Sequence, residues 1–220
     1  LLFSILLASG VTNTRISLSA SYKHPTVVDS DLGSGSLRTT DLGLNYKNRI
    51  EELAREWSLF PVASSFALAQ RGAPKPVVPE KNLRIICGSF DSQYVEHLLR
   101  DGQDHFFVGR APGHVATVGP FVQPGSTPCR RCLSLIEADR VGVAELSIPL
   151  GTSDELPIAV AHQVAALAAH AALKFIDTGK SELQAAQLIV DFLDALNPQL
   201  QHFPQHPECE CLWTSADVLL

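Results

Sequence analysis

The first third of the chain alternates between helix-forming and strand-forming patterns. Apolar residues fill most of 1–9 and predict the end of a buried helix, which Gly10 would cap. Apolar and polar residues alternate over 15–20, which predicts a short strand. Over 46–57 apolar residues recur at helical spacing between charged ones, so a second helix is predicted there.

The rest of the chain continues this alternation. Short apolar runs predict strands at 83–87, 105–109, 117–122 and 187–192. Helical spacing predicts helices at 92–99, directly after Cys132, and at 157–177. Strand–helix–strand order is typical of a parallel sheet with helices on its faces. We therefore expect an α/β fold with a mostly parallel sheet, and one domain over 1–220.

Composition narrows the class of protein. The chain has 220 residues, of which 45% are apolar and 18% charged, and its net charge is −6. An acidic chain without a Lys/Arg block does not favour nucleic-acid binding. The apolar run at the start is shorter than the ~20 residues that cross a membrane, so no membrane association is expected. The absence of Met and the apolar start predict an N-terminally truncated chain.

Four of the five cysteines lie in two closely spaced pairs. Cys129 and Cys132 form a Cys-x-x-Cys pair, and Cys209 and Cys211 form a Cys-x-Cys pair 77 residues later. Two such pairs are typical of a tetrahedral zinc site, with its lobe here at 126–134 and 204–213. The alternatives are disulfides or reduced core thiols, and His206 in place of one thiolate. Metal-type cysteines indicate a reducing, cytoplasmic setting.

Several segments resemble a known family. Residues 118–133 read VGPFVQPGSTPCRRCL and resemble the first zinc half-site of ThiF-type proteins, which have the fold of ubiquitin-activating enzymes. Residues 206–211, HPECEC, resemble the second half-site of a divergent branch that takes part in thiazole/oxazole-modified (bacteriocin) peptide biosynthesis. Residues 7–11 and 41–43 resemble shorter family motifs. The resemblance implies a Rossmann-like fold with a structural zinc knuckle.

Active members of that family adenylate a peptide carboxylate with ATP and Mg²⁺. The resemblance places Asp91 at the metal-binding aspartate, as the one weak catalytic candidate, and Lys47 and Arg49 near the phosphates. The preferred interpretation of Asp91 is that it caps the helix that follows it, since Asp favours such positions. The glycine-rich phosphate loop would precede Leu1, and residues 19–21 read Ser-Ala-Ser where the family has an acid for the ribose.

Three functions follow from these features. The preferred one is a degenerate, non-catalytic ThiF-like protein that binds a precursor leader peptide and presents it to a YcaO-type cyclodehydratase. The second is an ATP-dependent adenylyltransferase that activates a peptide or protein carboxylate. The third is a zinc-stapled domain that serves only as a homodimerisation surface, to which the small-residue helix at 157–177 is suited.

Overall fold

The computed structural model describes residues 1–11, 14, 25–32, 37–58, 82–88, 92–111, 114–141 and 156–211. The α-helices within these ranges are α1 (Leu2–Ala8), α2 (Asp29–Leu32), α3 (Tyr46–Ser58), α4 (Ser92–Arg100), α5 (Arg130–Val141) and α6 (Ile158–Thr178), and Thr39–Asp41 forms one turn of 3-10 helix. The strands are β1 (Arg84–Cys87), β2 (His105–Ala111), β3 (Val115–Val122), β4 (Ala186–Asp191) and β5 (Gln199–His202). The strand predicted at 15–20 lies outside the described residues.

The chain divides into two compact units. Unit 1 consists of Leu1–Glu80 and Pro157–Ala169, and unit 2 consists of Lys81–Leu156 and His170–Leu220. The break falls within α6, which therefore contributes its first half to unit 1 and its second half to unit 2. The expectation of one domain over 1–220 stays a prediction.

Unit 1 is built around an amphipathic helix. The predicted apolar positions of α3 place Ile50 in a small core with Val27 and Leu37, and all three are buried. Leu53, one turn further along α3, and Phe3 of α1 pack against the same core. The spacing of three residues puts Ile50 and Leu53 on one helix face. This apolar face packs on the core of unit 1 although the rest of α3 is highly charged.

The sheet of unit 2 corrects the expected strand direction. Its described strands follow the order β1-β2-β3-β4-β5, and only β1 and β2 run parallel. The other three pairs are antiparallel. The prediction of a mostly parallel sheet is therefore wrong for these strands. Connection length accounts for the first two pairs: α4 provides the long crossover that the parallel β1–β2 pair requires, whereas only residues 112–114 join β2 to β3.

Strand β3 is the centre of the sheet and is covered on both faces. All its residues after Val115 are buried. On one face the Phe121 ring lies 4.0 Å from the Phe175 ring of α6 and 5.8 Å from the Phe106 ring of β2, centre to centre. On the other face Val122 belongs to a core that includes the paired cysteines. The cysteine site therefore lies directly on the best-buried part of unit 2.

Helix α6 is long and apolar enough, by length and composition alone, to cross a membrane. It is the one such helix among the described residues. The alanines that give it this apolar character include a buried stripe at Ala168 and Ala172, four residues apart, which continues to Phe175. Its exposed positions include His162 and His170. A one-sided buried stripe is typical of a helix that packs on a protein core.

Gly119 provides a test of the β3 packing. Its φ is +100°, and a Cβ there would lie 2.9 Å from the backbone oxygen of Ala186 and 3.2 Å from the Cα of Gln187. Gly119→Ala should therefore lower the free energy of unfolding by about 3 kcal/mol, because backbone strain and a backbone clash add. Urea unfolding measures this change.

Gly102→Ala is the matched control. Gly102 also has a positive φ, +65°, but nothing lies within 4 Å of the added Cβ. This control should cost about 1 kcal/mol, the strain of the left-handed backbone alone. Equal losses in the two variants would show that β3 and β4 do not approach each other this closely.

Candidate metal centre

The first cysteine pair is held by a turn at the end of β3. The backbone N–H of Gln123 donates to Thr127 Oγ1 (2.9 Å), and the N–H of Thr127 donates to the carbonyl of Gln123 (3.1 Å). Gly125 takes a φ of +76° inside this turn, a conformation that glycine adopts without a steric penalty. Thr127 is buried, so both its side chain and its backbone hold the turn in place. The turn places Pro128 and Cys129 at the start of α5.

Helix α5 begins between the two sulfurs of this pair. Cys129 directly precedes the helix and Cys132 lies in its first turn. The N–H of Cys132 donates to the carbonyl of Cys129 (3.1 Å), which closes the knuckle. The amino end of a helix carries a partial positive charge and free N–H groups, so it favours thiolates over thiols.

The second cysteine pair follows the edge strand β5. Phe203, the residue after the strand, is buried in the same core as Cys129, Cys132 and Cys209. The N–H of Cys209 donates to the carbonyl of His206 (2.9 Å) and forms a turn. Gln205 donates its side-chain N–H to the carbonyl of Cys209 (3.0 Å). This segment, 203–211, thus reaches the knuckle with a fixed backbone.

The four sulfurs converge on one point. Cys129 Sγ lies 3.6 Å from Cys209 Sγ, and Cys132 Sγ lies 3.4 Å from Cys211 Sγ. All four sulfurs lie within 4.8 Å of one another. A disulfide would require about 2.0 Å. Four sulfurs at the corners of a tetrahedron around Zn²⁺ would lie about 3.8 Å apart, given a Zn–S bond of about 2.3 Å. The disulfide alternative is therefore excluded, and the four cysteines have the geometry of a metal site.

The chemistry of the set also fits a divalent cation. The hydrogen bond from Cys129 lowers the pKa of Cys132, and the same bond raises the pKa of Cys129. Burial raises the pKa of Cys211. Several thiolates this close together would repel one another without a cation. A metal that binds all four sulfurs replaces the thiol protons and leaves no coordination position for a substrate, so its role there is structural.

His206 is not a fifth or substitute ligand. Its Nε2 donates to Asp139 Oδ2 (2.9 Å), and its Nδ1 accepts from the N–H of Glu208 (3.1 Å). Both ring nitrogens are therefore occupied. The possibility that His206 replaces one thiolate is wrong in this conformation, and its predicted supporting role agrees with the contacts.

The residues expected near ATP phosphates lie in unit 1 or outside the described ranges. Arg49 Nε donates to Asp41 Oδ1 at 2.7 Å, and its Nη1 lies 3.3 Å from Glu52 and 3.5 Å from Glu56. Lys47 is more than half exposed and lies 3.9 Å from Glu51. A phosphate would have to compete with these carboxylates. Asp91 lies outside the described residues, so its role stays a prediction.

Sequence patterns did not reveal two of the polar residues around these sites. One feature of the sequence points to Asp139: it follows Cys132 by seven residues and so lies on the same face of the helix. Asp41 belongs to the short motif at 41–43, but the family resemblance assigns its partner Arg49 to the phosphates. Asp139 is not identified by a motif because its partner His206 is 67 residues away in the sequence. The Asp41–Arg49 pair is not identified because the family motif gives Arg49 a different role.

No known protein family matches the sequence. No curated protein matches it either. Similarity appears when folds are compared. Escherichia coli MccB with MccA-N7isoASN superposes with a TM-score of 0.56 over 86% of this chain and 58% of that chain, at 15% identity. E. coli MccB with ATP gives a TM-score of 0.57 over 86% of this chain and 56% of that chain, at 16% identity.

The chain shares the fold of MccB. A third structure, the microcin C7 biosynthetic enzyme MccB with N-formylated MccA, has a TM-score of 0.55 at 17% identity and covers 86% of this chain and 58% of that chain. The resemblance to ThiF-type proteins stays a prediction. The chain spans a little over half of the length of these MccB chains. At such identities the likeness concerns the fold alone.

Loss of one sulfur tests the metal site. Cys129→Ser should remove bound metal and lower the melting temperature by about 10 °C, because metal-binding free energy at a structural site is largely folding free energy. Metal content by mass spectrometry of the intact protein and a thermal melt measure both effects. Cys87→Ser is the control, since Cys87 is exposed and lies outside the cluster. Unchanged metal content in Cys129→Ser would contradict the four-sulfur site.

The Asp41–Arg49 pair predicts an acid dependence of unit 1. The backbone N–H of Arg38 and the guanidinium of Arg49 both donate to Asp41 and hold its pKa below the ordinary value. A lowered folded-state pKa means that the stabilisation is complete above about pH 4 and is lost as the pH falls through the folded value.

Asp41→Asn should therefore lower the free energy of unfolding at pH 7 and flatten its decline below pH 4. Urea unfolding between pH 2 and pH 7 measures both. Glu52→Gln is the control, because the Glu52 side chain is more than half exposed. An Asp41→Asn variant with the pH profile of the unchanged protein would show that this pair does not set the acid response.

Proposed function

We propose that this chain belongs to a ThiF-like protein that binds a precursor leader peptide and presents it to a modifying enzyme. The observation that carries the proposal is the fold shared with MccB over 86% of the chain. Those MccB structures contain the peptide MccA. Peptide handling is therefore the function that this fold supports best, and the ThiF-type motif wording around the cysteines agrees with it.

The proposed metal is zinc, bound by Cys129, Cys132, Cys209 and Cys211. Four thiolates with sulfur separations near those of a tetrahedron favour zinc over cations that prefer oxygen ligands. The zinc links the start of α5 to segment 203–211. Its part in the function is to hold the sheet and this segment as one surface.

A non-catalytic role is favoured by the charges in unit 1. An adenylating site needs cations that are available to the triphosphate. Arg49 is engaged by Asp41, Glu52 and Glu56 instead. Asp91 and Lys47 are kept as candidate ATP and Mg²⁺ residues that apply only if the protein is active.

The proposed partner follows from the resemblance to azole-modified peptide biosynthesis. In that setting the chain would deliver its peptide to a YcaO-type cyclodehydratase, which itself uses ATP. We further propose a cytoplasmic, reducing setting, because zinc-bound thiolates require reduced cysteines. A homodimer is compatible with this assignment.

The alternative function is an ATP-dependent adenylyltransferase of the type that activates ubiquitin-like modifiers. One observation favours it: MccB structures of the same fold contain ATP or AMPCPP. In this alternative Asp91 would hold Mg²⁺, and Lys47 would contact the phosphates. Arg49 would first have to leave its carboxylate partners.

ATP–pyrophosphate exchange in the presence of precursor peptide separates the two functions. The full-length protein is assayed beside its Asp91→Ala and Lys47→Ala variants, and peptide affinity is measured in parallel by fluorescence anisotropy. We expect peptide binding and no exchange above background. The Cys87→Ser variant serves as a matched control for substitution at a site without an assigned role.

Exchange that disappears in Asp91→Ala would overturn the preferred function and establish the adenylyltransferase. Absence of both exchange and peptide binding would contradict both peptide-based functions and leave the zinc-stapled dimerisation domain. Its test is the oligomeric state by light scattering.

A further inference from the structure

Segment 203–211 is attached to helix α5 at its sulfurs and also by the His206 side chain. Cys211 Sγ lies 3.4 Å from Cys132 Sγ, which is in the first turn of α5. The His206 ring reaches Asp139 near the other end of the same helix, with 2.9 Å between Nε2 and Oδ2. Asp139 follows Cys132 by seven residues, which is about 10 Å along a helix axis. The segment is therefore held along α5 and not only at its sulfurs.

The ring of His206 is oriented by contacts on both nitrogens. The N–H of Glu208 donates to Nδ1 at 3.1 Å, so Nδ1 is the acceptor and Nε2 carries the proton that Asp139 accepts. The His206 side chain is only 8% exposed, whereas that of Asp139 is 73% exposed. A buried ring with both nitrogens engaged fixes the turn that leads into Cys209.

The other end of the segment is anchored independently. The N–H of Phe203 donates to the carbonyl of Ala185 (3.0 Å), and the Phe203 side chain is buried in the core beside the cysteines. Segment 203–211 therefore has a fixed start and a fixed middle, and neither contact uses the metal. These two contacts restrict the backbone before Cys209 and Cys211, so both side chains face Cys129 and Cys132.

We propose that the His206–Asp139 contact is a positioning device that brings the second cysteine pair to α5 before the metal binds. The proposal rests on the proposed zinc site. Its consequence is that zinc enters a largely formed set of four sulfurs. Loss of the contact leaves all four ligands in place but makes their convergence part of the binding step, which weakens zinc binding and speeds zinc loss.

The test measures zinc affinity and zinc release in variants of the full-length protein. Release is followed with a chromophoric chelator, and the melting temperature of each variant is recorded with zinc present. Asp139→Ala removes the acceptor from an exposed position that touches no sulfur. Asp139→Asn keeps an oxygen acceptor at the same place. Asp177→Ala, an exposed carboxylate near the end of α6, is the control for loss of charge.

We expect Asp139→Ala to weaken zinc affinity by about tenfold, the lower end of the range for residues that orient metal ligands. Asp139→Asn should stay within about twofold of the unchanged protein, because the hydrogen bond survives. His206→Asn and His206→Gln separate the contact of Nδ1 with Glu208 from the contact of Nε2 with Asp139. Asn reproduces the acceptor for Glu208 but does not reach Asp139, whereas Gln can reach it. Gln should therefore retain more zinc affinity than Asn.

Two outcomes would overturn the proposal. The first is an Asp139→Ala variant that binds and releases zinc like the unchanged protein. The second is equal weakening in Asp139→Ala and Asp139→Asn, which would indicate an effect of charge and not of the hydrogen bond. If the proposed zinc site does not exist, the unchanged protein will not bind one equivalent of zinc. That result is distinct from both outcomes above.

Discussion

Four sulfur atoms from distant parts of the sequence have to meet at one point, and much of unit 2 follows from that constraint. Cys129 Sγ and Cys209 Sγ lie 3.6 Å apart although 80 residues separate them. Neutral thiols gain little from one another, and neighbouring thiolates repel one another unless a cation lies between them. The protein therefore has to supply the convergence with other contacts. The turn before α5 and the anchored segment after β5 provide these contacts.

Both approaches to the sulfur cluster start from the sheet. The first begins at Val122, the end of the central strand, where the turn closed by Thr127 redirects the chain into α5. The second begins at β5, whose register on β4 fixes where Phe203 enters the core. Antiparallel pairing of β3, β4 and β5 thus determines the distance between the two cysteine pairs. The positions of the four cysteine sulfurs therefore depend on the order and direction of the strands.

Local patterns in the sequence predicted the elements better than their arrangement. Helices α3 and α4, strands β1 to β4 and the four cysteines follow from spacing and motif alone, because those signals lie within a few residues of each other. Strand direction did not, since it depends on loop lengths such as the three residues between β2 and β3. Strand β5 was missed because Gln-Leu-Gln-His carries a single apolar residue. Contacts such as Arg49–Asp41 and His206–Asp139 depend on tertiary structure and have no periodic signature.

The 80-residue separation within the cluster also concerns the unfolded chain. A metal that joins Cys129 to Cys209 would close a loop that includes all of α5, α6, β4 and β5. By the loop-closure estimate used for disulfides, such a link removes about 4.5 kcal/mol of conformational freedom from the denatured state. Unlike a disulfide, such a link would open and close without an oxidant. With a metal bound, the chain would combine the topological restraint of a cross-linked protein with cysteines that remain reduced.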